Sequence, residues 1–184
     1  PVPSHGDPNA ELLIVGLAPG AYGANRTGRL FTGDASSDFL MKALFRGGFA
    51  TKPTSRSIGD GLEMRRAFQC ATVRCVPPSN RPLPIEQRNC RPFLTSEIKL
   101  LPRVRAVLTL GRIAFTEYLR SVDVAGFRPS KYVFRHREQY ALGNGLPTVF
   151  ASYHPSPRNT NTGRLTIEGL SEVVLRIRRF LDGI

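Results

Sequence analysis

The sequence predicts an α/β protein, a three-layer α/β/α sandwich around a central four-stranded parallel sheet. Three observations carry that expectation. Short, wholly apolar runs alternate with longer segments of helical periodicity, the pattern of strands buried on both faces with a helix after each. Gly, Pro and Asn bound the apolar runs and stop them at strand length. The chain has 184 residues, 41% of them hydrophobic and 22% charged, enough for one packed core and too few for two large ones.

The elements follow in order. Residues 12–17 (LLIVGL) read as a buried strand. DASSDFLMKALFRGGF (34–49) is a helix with Asp34 or Ser36 as N-cap and Gly47-Gly48 as the stop. AFQCATVRCV (67–76) is the second strand, and IEQRNCRPFLTSEIKLL (85–101) carries a helix after its prolines. RAVLTLG (105–111) is the third strand, and RIAFTEYLRS (112–121) continues from it as a helix. Residues 121–147 are irregular around Gly126, Pro129, Gly143, Gly145 and Pro147, with a short hairpin in KYVFRHREQYAL (131–142). PTVFASY (147–153) is the fourth strand, and LTIEGLSEVVLRIRRFL (165–181) is a closing amphipathic helix.

Charge narrows the function classes. Lys+Arg is 26 against Asp+Glu 14, a net charge of +12. Lysine supplies only Lys42, Lys52, Lys99 and Lys131, so the surplus is arginine, whose planar fork suits phosphate and base contacts. A polyanionic partner is the expectation, with general solubility as the alternative source of the charge. The longest apolar runs are too short to span a bilayer, and no signal peptide is visible, so a cytoplasmic location is expected. Three cysteines, Cys70, Cys75 and Cys90, do not make a disulfide framework. Cys70 reads as a small buried hydrophobe on its strand.

In an open parallel sheet, the loops after the strands share the carboxyl edge, where ligands bind. Three such loops hold the unusual chemistry. The first, GLAPGAYGANRTGRLFTGD (16–34), has five glycines in nineteen positions but neither a Walker GK[ST] nor a GxGxxG. It offers Arg26 and Arg29 to a backbone and Phe31 either to a base or to the core. The second, CVPPSN (75–80), ends in Asn80. That amide can match the O4 and N3–H of uracil and mismatch cytosine, at roughly 1–3 kcal/mol per mispaired buried group, or it can simply close a turn. The third, YHPSPRNTNTGR (153–164), sets His154 at a strand end before rigid prolines, with Arg158, Asn159 and Arg164 behind it.

Together, the first and third loops resemble the type-b, or family 5, uracil-DNA glycosylases, and the resemblance runs from about Leu12 to the last helix. It implies a single glycosylase domain over residues 1–184 that acts as a monomer on double-stranded DNA containing deaminated bases, and on single strands as well. It implies that Gly16 to Pro19 form the turn facing water and sugar. Ala18 stands where related families carry a polar side chain, so Asp34 becomes the nearest carboxylate for orienting water or stabilising the sugar cation, alongside helix capping. Phe31 would stack on the flipped base, Asn80 would read its edge, and His154 would donate to the base O2. Arg26, Arg29, Arg158, Asn159 and Arg164 would hold DNA, with Arg158 or Asn159 filling the vacated space. Family members tend to accept other deaminated bases such as hypoxanthine. Tyr22 departs from the family motif, where His is common.

The resemblance also implies a 4Fe-4S cluster. Cys75 and Cys90, with fourteen residues between them, match its downstream ligand pair. The upstream pair is absent from residues 1–184, which begin at Pro1: either a missing N-terminal segment carries it, the favoured expectation, or the cluster has been lost. Two rivals stand beside a monofunctional glycosylase. One is a non-catalytic module for damaged or single-stranded DNA on the same fold. The other is a nucleoside-processing enzyme, which the broad positive charge disfavours. With no lysine at a plausible pocket position, no Schiff-base lyase step is expected.

Overall fold

Strand β2 (Leu12–Gly16) is buried at every position, and its side chains divide between two cores. Leu12 and Ile14 join one cluster and Leu13 and Val15 the other, because successive strand residues point to opposite faces. A strand with that pattern must lie inside a sheet covered on both sides. The computed structural model, which describes residues 1–122 and 128–184, has this arrangement. Gly126, expected in an irregular stretch, lies outside the described residues.

The parallel core is β3 (Ala67–Ala71), β2, β4 (Ala106–Leu110) and β6 (Thr148–Ser152), in that spatial order. Two-residue antiparallel strands, β1 (His5–Gly6) beside β3 and β5 (Gln139–Tyr140) beside β6, extend it to six. The four expected strands are therefore present, and the sheet is wider by two short edges. These edges carry no long apolar run, since they bury only one shoulder of the sheet. The hairpin expected at 131–142 does not form. Gln139 and Tyr140 pair with Phe150 and Val149, so the segment's hydrogen bonds go to β6.

Helices α2 (Ala35–Arg46) and α6 (Ile167–Asp182) cover one face, burying Leu40, Met41 and Leu44 against Val173, Val174 and Ile177. Helices α3 (Pro84–Leu100) and α4 (Arg112–Ser121) cover the other through Leu94, Phe115 and Tyr118. The helix expected after the prolines begins at Pro84 and runs through Pro92. Proline at the first helical position loses no needed N–H, and the Leu83 N–H finds the Glu86 carboxylate at 2.6 Å. The interior Pro92 is carried by tertiary packing, including the Arg91 guanidinium on the buried Glu117 carboxylate of α4 at 2.9 and 3.1 Å.

Topology then sets the site. From β2 the chain crosses to β3 on one side. It returns past β2 to β4 and continues to β6 on the other side. The direction of winding reverses between β2 and β4, and a crevice opens there at the carboxyl ends of the strands.

Candidate active site

Three loops meet in that crevice. The loop after β2 supplies Gly16, Ala18, Phe31 and Asp34, and the segment after β3 supplies Pro77 and Asn80. The loop after β6 brings His154 and Arg158 to the same cleft of about 720 Å³. Every base-facing and catalytic position expected from the sequence lines this one cavity.

Each side chain is held by local chemistry. Asp34 is the N-cap of α2, and its Oδ1 accepts from the Ser37 N–H at 2.8 Å and the Ser37 hydroxyl at 2.7 Å. Its Oδ2 lies against the glycine turn. A Cβ on Gly23 would come 2.1 Å from that oxygen, and one on Gly20 would come 3.2 Å. Only glycine at 23 lets the turn close over the carboxylate. One carboxylate oxygen thus anchors a helix while the other lies against the glycine turn that lines the cavity.

Phe31 has φ +49°, a left-handed conformation that a bulky residue rarely adopts. Its ring lies on Gly16, where a Cβ would sit 2.5 Å from Cζ. Phe31 is half-buried. It thus has the core contact expected of it and also lines the cavity. Ser79 and Asn80 also have left-handed backbones, φ +52° and +57°, in the turn Pro78–Asn80. That turn leaves Asn80 exposed at the cavity edge.

His154 follows β6 by two residues. The Asn159 amide donates to its carbonyl at 2.8 Å and bridges the base of its loop. Burial holds the imidazole below its ordinary value, while the Asp34 carboxylate across the cavity pulls the other way. At neutral pH the ring is uncharged, a donor or acceptor but not a cation.

The arginines separate into different roles. Arg29 was expected on DNA and is instead internal, with its side chain only 12% exposed. Its guanidinium bonds to Thr32 Oγ1 and Ser55 Oγ at 2.9 Å each, and to Asp60 at 2.8 Å. Asp60 also accepts from the backbone N–H groups of Leu62, Arg56 and Ser57. Burial would raise that carboxyl, but these donors together hold it well below the usual carboxylate range. Arg29 therefore locks the glycine-rich loop to residues 55–62. The sequence placed it among glycines and gave no sign of the Asp60 partner thirty-one residues on. Arg26 is exposed and bonds the Tyr22 carbonyl at 2.8 Å. Tyr22, 87% exposed, stands on the cavity rim. Arg158 lines the cavity, and Arg164 lies over the Tyr153 ring at 5.2 Å.

Cys70 is buried on β3, where burial pushes its thiol up, so it is not a ligand in waiting. Cys75 is exposed and Cys90 half-buried. Their segments touch, since the guanidinium of Arg74, next to Cys75, lies 5.6 Å over Phe93 and pairs with Glu97 at 2.5 Å. Phe93 and Glu97 follow Cys90 by three and seven residues, on one face of α3. Yet no group of three or more His, Cys, Asp or Glu that could hold a metal exists among the described residues. A cluster held by four thiolates does not fit the donors present.

Comparisons with known proteins show what the chain is similar to. The family model for the Uracil DNA glycosylase superfamily matches residues 3–178. The chain is 48% identical over 179 residues to a type-5 uracil-DNA glycosylase of Thermus thermophilus, covering 97% of this chain and 80% of that one. It is 47% identical over 176 residues to the type-5 enzyme of Pyrobaculum aerophilum, covering 96% and 74%. Against the type-5 enzyme of Mycobacterium bovis it is 44% identical over 174 residues, covering 94% and 64%.

Proposed function

The chain belongs to the uracil DNA glycosylase superfamily, and from that premise we propose that residues 1–184 form one glycosylase domain whose cavity takes a nucleoside swung out of DNA. It is a DNA-repair N-glycosylase that excises uracil and leaves an abasic site. The observation that carries the reading is the meeting of Phe31, Asp34, Asn80 and His154, from three separate loops, around one cavity.

The base stacks on Phe31 and presents its edge to the Asn80 amide. As the N1–C1′ bond breaks, its electron pair stays on the base, and the sugar becomes an oxocarbenium-like cation. Neutral His154 donates to the developing anion at O2, the kind of preorganised donor whose loss costs about 10²–10³ in rate. Ala18 offers only a methyl group to the water. Asp34 Oδ2, free of the capping bonds, orients that water toward C1′ and takes its proton as the C–O bond forms. The DNA phosphates share in stabilising the cation. Extrusion of the base costs a few kcal/mol, and less at a mismatch, so a G·U pair is the natural substrate and hypoxanthine a further one.

The protein acts as a monomer in the cytoplasm on nucleoid DNA. No helix among the described residues is long and apolar enough to cross a membrane. Cys75 and Cys90 are two of the four thiolates that a 4Fe-4S cluster needs, and no step on the base depends on one. The test is base release from duplexes carrying uracil, hypoxanthine, xanthine or thymine opposite guanine. Release of uracil that falls to background in His154→Ala is expected. Tight binding with no release above background would leave only a damage-binding module.

A further inference from the structure

Residues 2–6 lie against the loop that carries Phe31. Val2 is buried in a small cluster with Ala24, Leu30 and Ala71, three residues that also line the base cavity, and Phe31 packs on that cluster. The Val2 N–H donates to the Arg74 carbonyl at 2.8 Å, which ties the segment to the chain beyond β3. In β1, His5 stands opposite Gln69 and Gly6 opposite Phe68. A Cβ on Gly6, at φ +143°, would lie 2.5 Å from the Ala67 carbonyl oxygen, so glycine lets β1 close on β3 there. Directly opposed residues of an antiparallel pair share a face, so the His5 ring stands on the side of the buried Gln69. Backbone groups make the ladder of β1 with β3, and nothing in it requires an imidazole at position 5.

The imidazole reaches instead to the glycine-rich loop. His5 Nε2 lies 3.1 Å from the Leu30 carbonyl oxygen, twenty-five residues on. A carbonyl can only accept, so Nε2 carries the hydrogen and donates. Burial holds the ring below its ordinary value, against the pull of the Leu30 carbonyl, so it is neutral at neutral pH and this tautomer is fixed by its partner. The same carbonyl faces the Thr32 hydroxyl at 3.1 Å, but that hydroxyl also meets Ser55 Oγ at 2.7 Å and accepts from Arg29 Nε. His5 is therefore the donor that reaches this carbonyl from outside the loop and its 55–62 partner. The Leu30 carbonyl belongs to the planar peptide that leads into Phe31, whose φ is +49°. Holding that plane holds φ of Phe31 and the direction of its Cβ. Strained backbone of this kind persists only where its surroundings over-determine it, and it collects at ligand clamps.

Resting on the glycosylase reading, we propose that His5 is a positioning residue for base release: through the Leu30 carbonyl it fixes the Leu30–Phe31 peptide, and with it the tilt of the Phe31 ring over Gly16 on which the flipped base stacks. His5 is not among the residues that line the cavity, so it touches neither base nor sugar and acts only through the ring. The β1 segment is then the support of the stacking loop as well as an edge of the sheet.

The test is a double-mutant cycle with a structural readout beside it. His5→Leu removes the donor and keeps apolar bulk, while His5→Gln keeps an N–H at about the reach of Nε2. Neither touches the backbone ladder of β1, so both variants fold. His5→Leu is expected to slow single-turnover uracil release about three- to tenfold, the range for one neutral hydrogen bond, and His5→Gln to stay within about twofold of the parent. In a Phe31→Ala background, His5→Leu should change the rate by less than about twofold, because the ring it acts through is gone. Binding to undamaged DNA should match the parent throughout. The structural readout needs no catalysis. With ¹³C-labelled phenylalanine rings, the Phe31 signals are those lost in Phe31→Ala, and their nuclear Overhauser effect to the Gly16 α-protons reports the ring's seat. That effect should be strong in the parent and in His5→Gln, and weak in His5→Leu. An equal slowing by His5→Leu in both backgrounds overturns the proposal, as does an unaltered Phe31–Gly16 effect in His5→Leu. A slow His5→Gln variant that keeps the effect overturns it too. Absence of base release by the parent refutes the glycosylase reading, while the Overhauser comparison still decides whether His5 sets the ring.

Discussion

Asp34 has two oxygens with two duties, and two substitutions separate them. Asp34→Ala removes both. The lost N-cap costs about 1 kcal/mol. The lost negative charge at the start of α2 costs about 0.3–1 kcal/mol more. For a chain of this length, 1 kcal/mol corresponds to about 2–4 °C, so the Ala variant should melt about 3–8 °C lower. Asp34→Asn keeps an acceptor for the Ser37 N–H and hydroxyl, at present 2.8 and 2.7 Å away. Asn caps helices as well as Asp, so only the charge contribution is lost and the shift should stay near 1–3 °C. Chemistry should respond differently. The amide that replaces Oδ2 against the Gly20–Gly23 turn cannot take a proton from water, and loss of a positioned base costs about 10²–10⁴ in rate. Removing the charge also takes away the influence that raises His154, so the imidazole stays neutral and cannot account for the loss. The assay pairs single-turnover uracil release with a thermal melt. Both variants should be slow, and only Ala should be clearly less stable. An Asn variant with the parent rate beside a slow Ala variant would mean that Asp34 is a cap and nothing more.

Other expectations test the neighbouring parts. Gly16→Ala puts a methyl group 2.5 Å from Phe31 Cζ, so the ring must swing into the cavity. Uracil release should fall at least tenfold (about 1.4 kcal/mol) while melting changes by only a few degrees. Arg29→Ala should lower stability by about 2–4 kcal/mol, toward the range for breaking a buried pair, and open residues 55–62 to limited proteolysis. The same variant should leave the salt slope of DNA binding unchanged, since its guanidinium is internal. Burial lowers His5, His136 and His154 alike, so below pH 6.5 the unfolded chain binds protons that the folded chain does not. Stability should fall as pH drops from 6.5 through the folded values, by up to about 1.4 kcal/mol per pH unit per proton. His154→Gln should make the urea-midpoint slope in that window shallower, and an unaltered slope would mean that residue 154 is not buried and neutral.

Much of the fold could be read in the chain because its signals are local. Strands β2, β3, β4 and β6 are apolar runs bounded by turn residues, though β3 stops at Ala71 short of the expected Val76; α2 is bounded by the Asp34 cap and Gly47-Gly48, and α4 and α6 lie where helical periodicity set them. Burial on both faces makes such runs unambiguous. The two-residue edge strands escaped because pairing one shoulder of a sheet needs no hydrophobic pattern. Pro92 inside α3 ran against propensity, since packing against α4 outweighs a lost N–H.

The site divides along the same line. Position in the loops brought Gly16, Ala18, Phe31, Asp34, Asn80 and His154 to the sheet edge through strand order alone, which any parallel α/β topology imposes. Partner choice was not local. Arg29 and Arg158 look alike in sequence, yet one closes on Asp60 and the other faces open cleft. The difference is set by a carboxylate thirty-one residues away that only the folded chain brings near. Residue type and periodicity decide what a segment can bury, because burial responds to its own composition. Which charge meets which depends on distances across the fold, and those exist only once the three layers have closed.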